Sequence, residues 1–381
     1  MSIVAIERAL EAALASGVAP GLTAAAHLAG GSVWTGAYGQ RGVQDPSPMT
    51  GDTLFWIASM TKAIASVAAL QMVEQGRVSL DQPASDFVPA IGRSMIIEGF
   101  DAKGEARLRP ATKPVTLRHL LTHTSGYGYA FFSQDLARYC EAKGLGLDSA
   151  LDLPRLAEAG ECWNYGVGID FAGQVVEAIT GQSLDVYLQQ HVFDVLGMAD
   201  TTFAPSPEQE KRKAAMHARL PDGGLVPMEF PLPPPPNPML GGGGLFSTAS
   251  DYLLFLTALL NGGVGANGGR ILKAESMGLL SDNHVGEIQC GVLETAMPHI
   301  SAAFEPFPGQ PKRWSLAMLR TEAAMPGGRG AGSLAWAGLS NCYCWMDPGA
   351  GVAGVILMQF LPFADPKALE AFEAFERAVY A

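Results

Sequence analysis

Residues 55–76 read FWIASMTKAIASVAALQMVEQG, and the only charged side chains among them are Lys62 and Glu74. From Ser59 to Gln75 the stretch is apolar on nearly every side, which predicts a buried helix rather than an amphipathic one. Gly76 is placed to cap its end. In such a helix Ser59 and Lys62 stand three residues apart on one face. A neutral serine hydroxyl is a poor nucleophile and needs a base close by. An amine supplies one near neutral pH only when burial disfavours its ammonium form, and an apolar helix is a setting that does so. At the helix N-terminus Ser59 also lies where unpaired backbone N–H groups and the helix dipole favour an oxyanion. The bland alternative is a serine that only caps the helix and a lysine whose amine snorkels to solvent. Ser59-x-x-Lys62 is the one S-x-x-K in the chain.

The chain around it has 381 residues, 48% hydrophobic and 16% charged. That is enough for a large core, and for two lobes rather than one. A net charge of −12 without a basic cluster argues against a nucleic-acid partner. The longest apolar runs fall short of the ~18–20 residues of a membrane span. Glu7, Arg8 and Glu11 follow a helical pattern where a secretory signal would place a basic and then an apolar region. Cys140, Cys162, Cys290, Cys342 and Cys344 are an odd set without zinc-like spacing, which suits a reducing cytoplasm.

Ile3, Ile6, Leu10 and Leu14 recur at helical spacing, so residues 2–16 are expected to be a helix ended by Gly17, Pro20 and Gly21. LTAAAHLAGGSVWTGAYG (22–39) reads as strand, Gly-Gly turn, strand. Residues 81–239 change character, to short helices and long loops. They end in PLPPPPNP (231–238), expected to be a stiff extended connector. A loop at GGGG (241–244) and a helix around Asp251–Leu260 follow. SLAWAGLSNCYCWMD and GVAGVILMQF look like two strands joined at PGAG. Residues 366–380 form an amphipathic helix with Leu369, Phe372, Phe375 and Val379 on one face. There are no internal repeats. The expected architecture is α+β, an antiparallel sheet flanked by helices with a mostly helical insert. One domain is built from 1–80 and 240–381, the other from 81–239.

The motif SMTK after an apolar, strand-like stretch resembles the active-site motif of class C β-lactamases, penicillin-recognising enzymes and family VIII carboxylesterases. The resemblance covers most of the chain. LRHLLTHTSGYGY (117–129), WNYGVGIDFAGQVVEAITGQSLDVYLQQHVFDVLGM (163–198), GGGGLFSTASDYLLF (241–255) and GSLAWAGLSNCYCWMDP (332–348) are similar to later family segments in the same order. It implies the β-lactamase/transpeptidase-like fold, with Ser59 as nucleophile, Lys62 as its base or proton relay, and Tyr165 as the catalytic tyrosine. A phenol of pKa near ~10 is a usable base only beside a cation such as Lys62. The backbone N–H groups of Ser59 and Leu339 would form the oxyanion hole, with Tyr129, Trp336 and Gly338 facing the substrate. Two elements depart from the β-lactamase pattern. Tyr165-Gly166-Val167 lacks the asparagine of Tyr-x-Asn, and Trp336-Ala337-Gly338 stands where those enzymes carry Lys-Thr-Gly. An indole offers an apolar wall suited to an uncharged ester. The reading is therefore a serine esterase acting on short-chain or aryl esters, with acyl transfer to alcohols and weak β-lactam hydrolysis conceivable. The alternatives are a β-lactamase or D-amino-acid peptidase, and a non-catalytic ligand-binding relative. No metal or organic cofactor is implied, and the expected partner is a small ester.

His119 and His123 have the i, i+4 spacing of a zinc pair, but Leu120 stands where the zincin motif needs Glu. GGGG lacks the Gly-Lys-Ser/Thr ending of a phosphate loop. Cys342 and Cys344 alternate along a strand and are expected to pack on one side. The absence of G-x-S-x-G argues against the α/β-hydrolase route to an esterase.

Overall fold

The strand–turn–strand pattern near the start of the chain folds as an antiparallel hairpin, β1 (Gly21–His27) and β2 (Val33–Gly39). In the computed structural model, which describes residues 2–229 and 240–381, this hairpin forms one edge of a seven-stranded sheet. The other strands come from the far end of the chain. They are β3 (Lys312–Trp314), β4 (Leu319–Thr321), β5 (Leu334–Gly338), β6 (Cys342–Asp347) and β7 (Val352–Leu357). The order is β2-β1-β7-β6-β5-β4-β3. Every neighbouring pair is antiparallel, and Ala24 faces Ile356 across the join between the two chain ends.

The expected single strand over SLAWAGLSNCYCWMD is two strands. The chain reverses between Gly338 and Cys342, where Asn341 takes a left-handed φ of 62°. Asparagine tolerates that region better than other residues with a side chain. PGAG then joins β6 to β7 as expected. Along β6 the side chains alternate with period two. Tyr343 and Trp345 meet Phe372 and Phe375 on one face, while the Cys344 thiol reaches Tyr252 on the other.

Helices complete both layers. α1 (Ile3–Ala15) and α5 (Pro366–Tyr380) pack together on the first face. Asp365 caps α5 by accepting the N–H groups of Lys367 and Ala368, with Pro366 at the first position. α4 (Ala249–Leu260) crosses β1 and β7 on the second face. Behind it lies α2 (Thr61–Glu74), in which every residue from Thr61 to Met72 is buried, packed against α3 (Gly168–Thr180). Burial of each large apolar side chain there contributes about 1.5–3 kcal/mol.

Residues 81–229 carry short helices and loops as expected, and two unforeseen hairpins, Met95–Phe100 with Ala106–Pro110 and His217–Arg219 with Leu225–Pro227. The proline run at 231–238 lies outside the described residues. Among the described residues no helix is long and apolar enough to cross a membrane. All five cysteines are free thiols, and Cys342 and Cys344 are buried.

Candidate active site

Phe55–Trp56 pairs with Phe246–Ser247 as a two-stranded ribbon. The chain then makes one 3₁₀ turn, Ala58–Met60, before α2 starts at Thr61. Ser59 thus sits in that turn rather than in the helix proper. Ala58 has φ 44°, a conformation that costs a side-chain-bearing residue roughly 1–2 kcal/mol. The turn is held from outside. Thr61 Oγ1 donates to the Ala58 carbonyl at 2.6 Å and accepts the Leu245 N–H at 3.1 Å, while the Tyr252 hydroxyl donates to the Met60 carbonyl at 3.0 Å.

Lys62 is fully buried, so it does not snorkel. Its Nζ donates to Ser59 Oγ at 3.2 Å, to the Tyr129 hydroxyl at 2.9 Å and to the Gly242 carbonyl at 2.5 Å. Burial lowers its pKa from an ordinary 10.5 to about 8, against the opposing pull of Asp170. An amine so perturbed is free in a useful fraction near neutral pH.

Tyr165 comes from the loop that leads into α3. It is buried, with its hydroxyl on Ser59 and accepting the Trp336 Nε1–H at 2.9 Å. Lys62 Nζ lies over the Tyr165 ring, 4.9 Å from its centroid, and burial pushes the phenol well above its ordinary value. Burial thus favours the neutral form of the Tyr165 phenol, and the buried Lys62 amine is the more readily deprotonated of the two.

Trp336 lines the cleft, packs edge-on against Trp314 at 4.6 Å and donates its indole N–H to Tyr165. Gly338 brings β5 against the Ser59 turn, since any Cβ there would overlap the Ile57 carbonyl oxygen. Leu339, next along, lines the same cleft as Ser59. Tyr129 stacks on Phe131 at 4.9 Å and spends its hydroxyl on Lys62, which makes it a partner of the amine more than a wall of the cleft. The rest of the lining is Phe131, Phe132, Leu293, Ala337 and Phe363, and among the described residues no charged side chain contributes to it.

Sequence reasoning missed Asp170. It lies in the first turn of α3, is fully buried, and accepts the Gly242 N–H at 2.9 Å and a hydrogen bond from Tyr129. The signal was available, since it is the only charged residue between Glu161 and Glu177. The GGGG loop is explained by the same contact. A Cβ on Gly242 would overlap the Asp170 carboxylate, so the loop serves Lys62 and Asp170. The two histidines part company. A short helix, Leu117–Leu121, ends before His123, which has φ 56°. His119 Nδ1 accepts the Thr116 N–H, whereas the His123 ring packs 4.6 Å from that of Tyr165.

Ser59 on a buried amine, the Tyr165 phenol beside it and strand β5 thus converge on one cleft. The beta-lactamase family model matches residues 6–378. The chain belongs to the beta-lactamase family. Within this family of serine hydrolases it is similar to monacolin J acid methylbutanoyltransferase of Aspergillus terreus, 32% identical over 100% of this chain and 96% of that protein. It is also similar to lovastatin esterase of Penicillium rubens, 28% identical over 88% and 87% of the two chains. The unliganded structure of simvastatin synthase (LovD) from Aspergillus terreus superposes with a TM-score of 0.83 at 30% identity, over 100% of this chain and 98% of that one. The β-lactamase/transpeptidase-like α+β fold read from the sequence is the fold of the protein.

Proposed function

We propose that this beta-lactamase-family protein is a serine carboxylesterase with acyl-transfer capacity, working through an acyl-Ser59 intermediate. The observation that carries the reading is the fully buried Lys62 amine 3.2 Å from Ser59 Oγ. Lys62 takes the Ser59 proton as Oγ bonds to the ester carbonyl carbon. The backbone N–H groups of Ser59 and Leu339 stabilise the oxyanion. As the C–O bond to the alcohol breaks, Tyr165 gives that alcohol a proton and is reprotonated from Lys62. Water or a second alcohol then attacks the acyl carbon, passes its proton to the same groups, and returns Ser59 as a hydroxyl.

The substrate class follows from the lining. A β-lactam antibiotic carries a carboxylate beside its ring, and desolvating it against Trp336 and the phenylalanines without a cation costs several kcal/mol. An uncharged short-chain or aryl ester has no such cost and gains from apolar contact. The relatives named as an acyltransferase and an esterase support both alcohols and water as acyl acceptors. The test is kcat/KM for p-nitrophenyl butyrate against a chromogenic cephalosporin, with and without an added alcohol. The ester is expected to win by at least about 100-fold, ~2.7 kcal/mol of discrimination. Comparable values would replace this reading with a β-lactamase.

A further inference from the structure

Lys62 on α2 and Asp170 on α3 are both fully buried, yet among the described residues they do not form a direct ion pair. Two groups stand between them. Tyr129 accepts from Lys62 Nζ at 2.9 Å and donates its hydroxyl proton to the Asp170 carboxylate. The Gly242 backbone accepts from Lys62 Nζ at 2.5 Å through its carbonyl and donates its N–H to Asp170 Oδ1 at 2.9 Å. Both bridges are polarised in the same sense, from the amine to the carboxylate, and together they close a ring. Glycine at 242 is what lets the ring close, because a side chain there would displace the carboxylate.

We propose that Asp170 is the counter-charge that sets the proton affinity of Lys62, acting through Tyr129 and the Gly242 backbone, and so is a positioning residue for acyl transfer at Ser59. Each contact just described on Asp170 is a donor, which is the company an ionised carboxylate needs. Burial pushes its carboxyl up, while Lys62, the Gly242 N–H and the Tyr129 hydroxyl favour the charged form. The other titratable groups facing Lys62 are Tyr129, Tyr165 and His123. Burial holds both phenols protonated and the imidazole unprotonated, so none of them brings a charge to the amine near neutral pH. Asp170 is then the full charge that Lys62 faces. Without it the buried amine would release its proton more readily still.

The experiment is the pH dependence of kcat/KM for p-nitrophenyl butyrate in the wild type and in Asp170→Asn, which keeps the shape and removes the charge. In the wild type the rate is expected to rise through the Lys62 pKa of about 8. In Asp170→Asn the rise moves to lower pH by about one unit or more, whatever happens to the maximal rate. Thus the variant retains a larger share of its own maximum at neutral pH. A rise that stays in place, even with a lower kcat, reduces Asp170 to packing and overturns the inference. If Asp170→Asn does not fold, Tyr129→Phe decides in the same way, since it cuts one of the two bridges. The inference rests on Lys62 as the base. That reading fails, and takes the inference with it, if the wild type shows no rise near pH 8. The inference fails alone if the wild-type rise is present and the deciding folded variant shares it.

Discussion

The indole N–H of Trp336 ends on the hydroxyl oxygen of Tyr165, 2.9 Å away. A neutral donor thus stands at the place where the resemblance puts the lysine of Lys-Thr-Gly. It fixes the phenol against Ser59 without adding a cation to the cleft. Trp336→Phe keeps most of the aromatic packing against Trp314 and removes the donor. Loss of a buried hydrogen bond of ~1–1.5 kcal/mol predicts a fall in kcat of about 5- to 10-fold, with KM little changed. Steady-state kinetics on p-nitrophenyl butyrate measure it, and a wild-type kcat would assign Trp336 to packing alone.

Lys62→Arg should be almost as damaging as Lys62→Ala, with a loss of at least about 100-fold in kcat. A guanidinium keeps the charge but cannot give up its proton near neutral pH. The sign of the pH effect follows from the same group. Burial lowers the Lys62 pKa to about 8, so the free amine accumulates, and the rate rises, as pH passes upward through that value. An arginine variant that keeps most of its rate would make Lys62 an electrostatic fixture.

Tyr165→Phe removes the proton donor and leaves the ring, which packs 4.8 Å from Trp336. A loss of about 100-fold in kcat is expected, with the fold intact by circular dichroism. A rate within a few-fold of wild type would mean that the leaving alcohol draws its proton from Lys62 directly.

What the sequence made legible was the placement of charge in apolar surroundings. Lys62 stood out because it interrupts a run that is otherwise buried, and the structure buries it. Asp170 carries the same signal in GIDFAG, but it lies three residues past Val167, outside the Tyr-x-Asn motif. The hairpin at 338–342 was hidden because Leu339, Ser340 and Asn341, the residues that make the reversal, include no glycine or proline. Tertiary contact decided the rest. The Trp336–Tyr165 bond joins residues 171 positions apart. No spacing rule foretells whether an indole N–H in a cleft faces a phenol or a substrate.

Stability depends on a second buried charge pair, far from Ser59 in its role. Arg329 is fully buried and grips Glu376 of α5, Nε to Oε1 at 2.8 Å and Nη2 to Oε2 at 2.5 Å. Arg329→Met leaves the carboxylate buried without its partner, which predicts a loss of about 3–5 kcal/mol in urea unfolding. Replacing both, as Arg329→Met with Glu376→Leu, should recover most of it. A single variant that loses less than about 1 kcal/mol would show that Glu376 is readily resolvated.

The most direct measurement is intact-protein and peptide mass spectrometry after treatment with a p-nitrophenyl alkylphosphonate, which traps a nucleophilic serine as a stable ester. A single adduct is expected, in the peptide carrying Ser59, with loss of esterase activity in proportion to labelling and no adduct in Ser59→Ala. An adduct on another residue, or an enzyme that stays unlabelled while turning over ester, would contradict the acyl-Ser59 account.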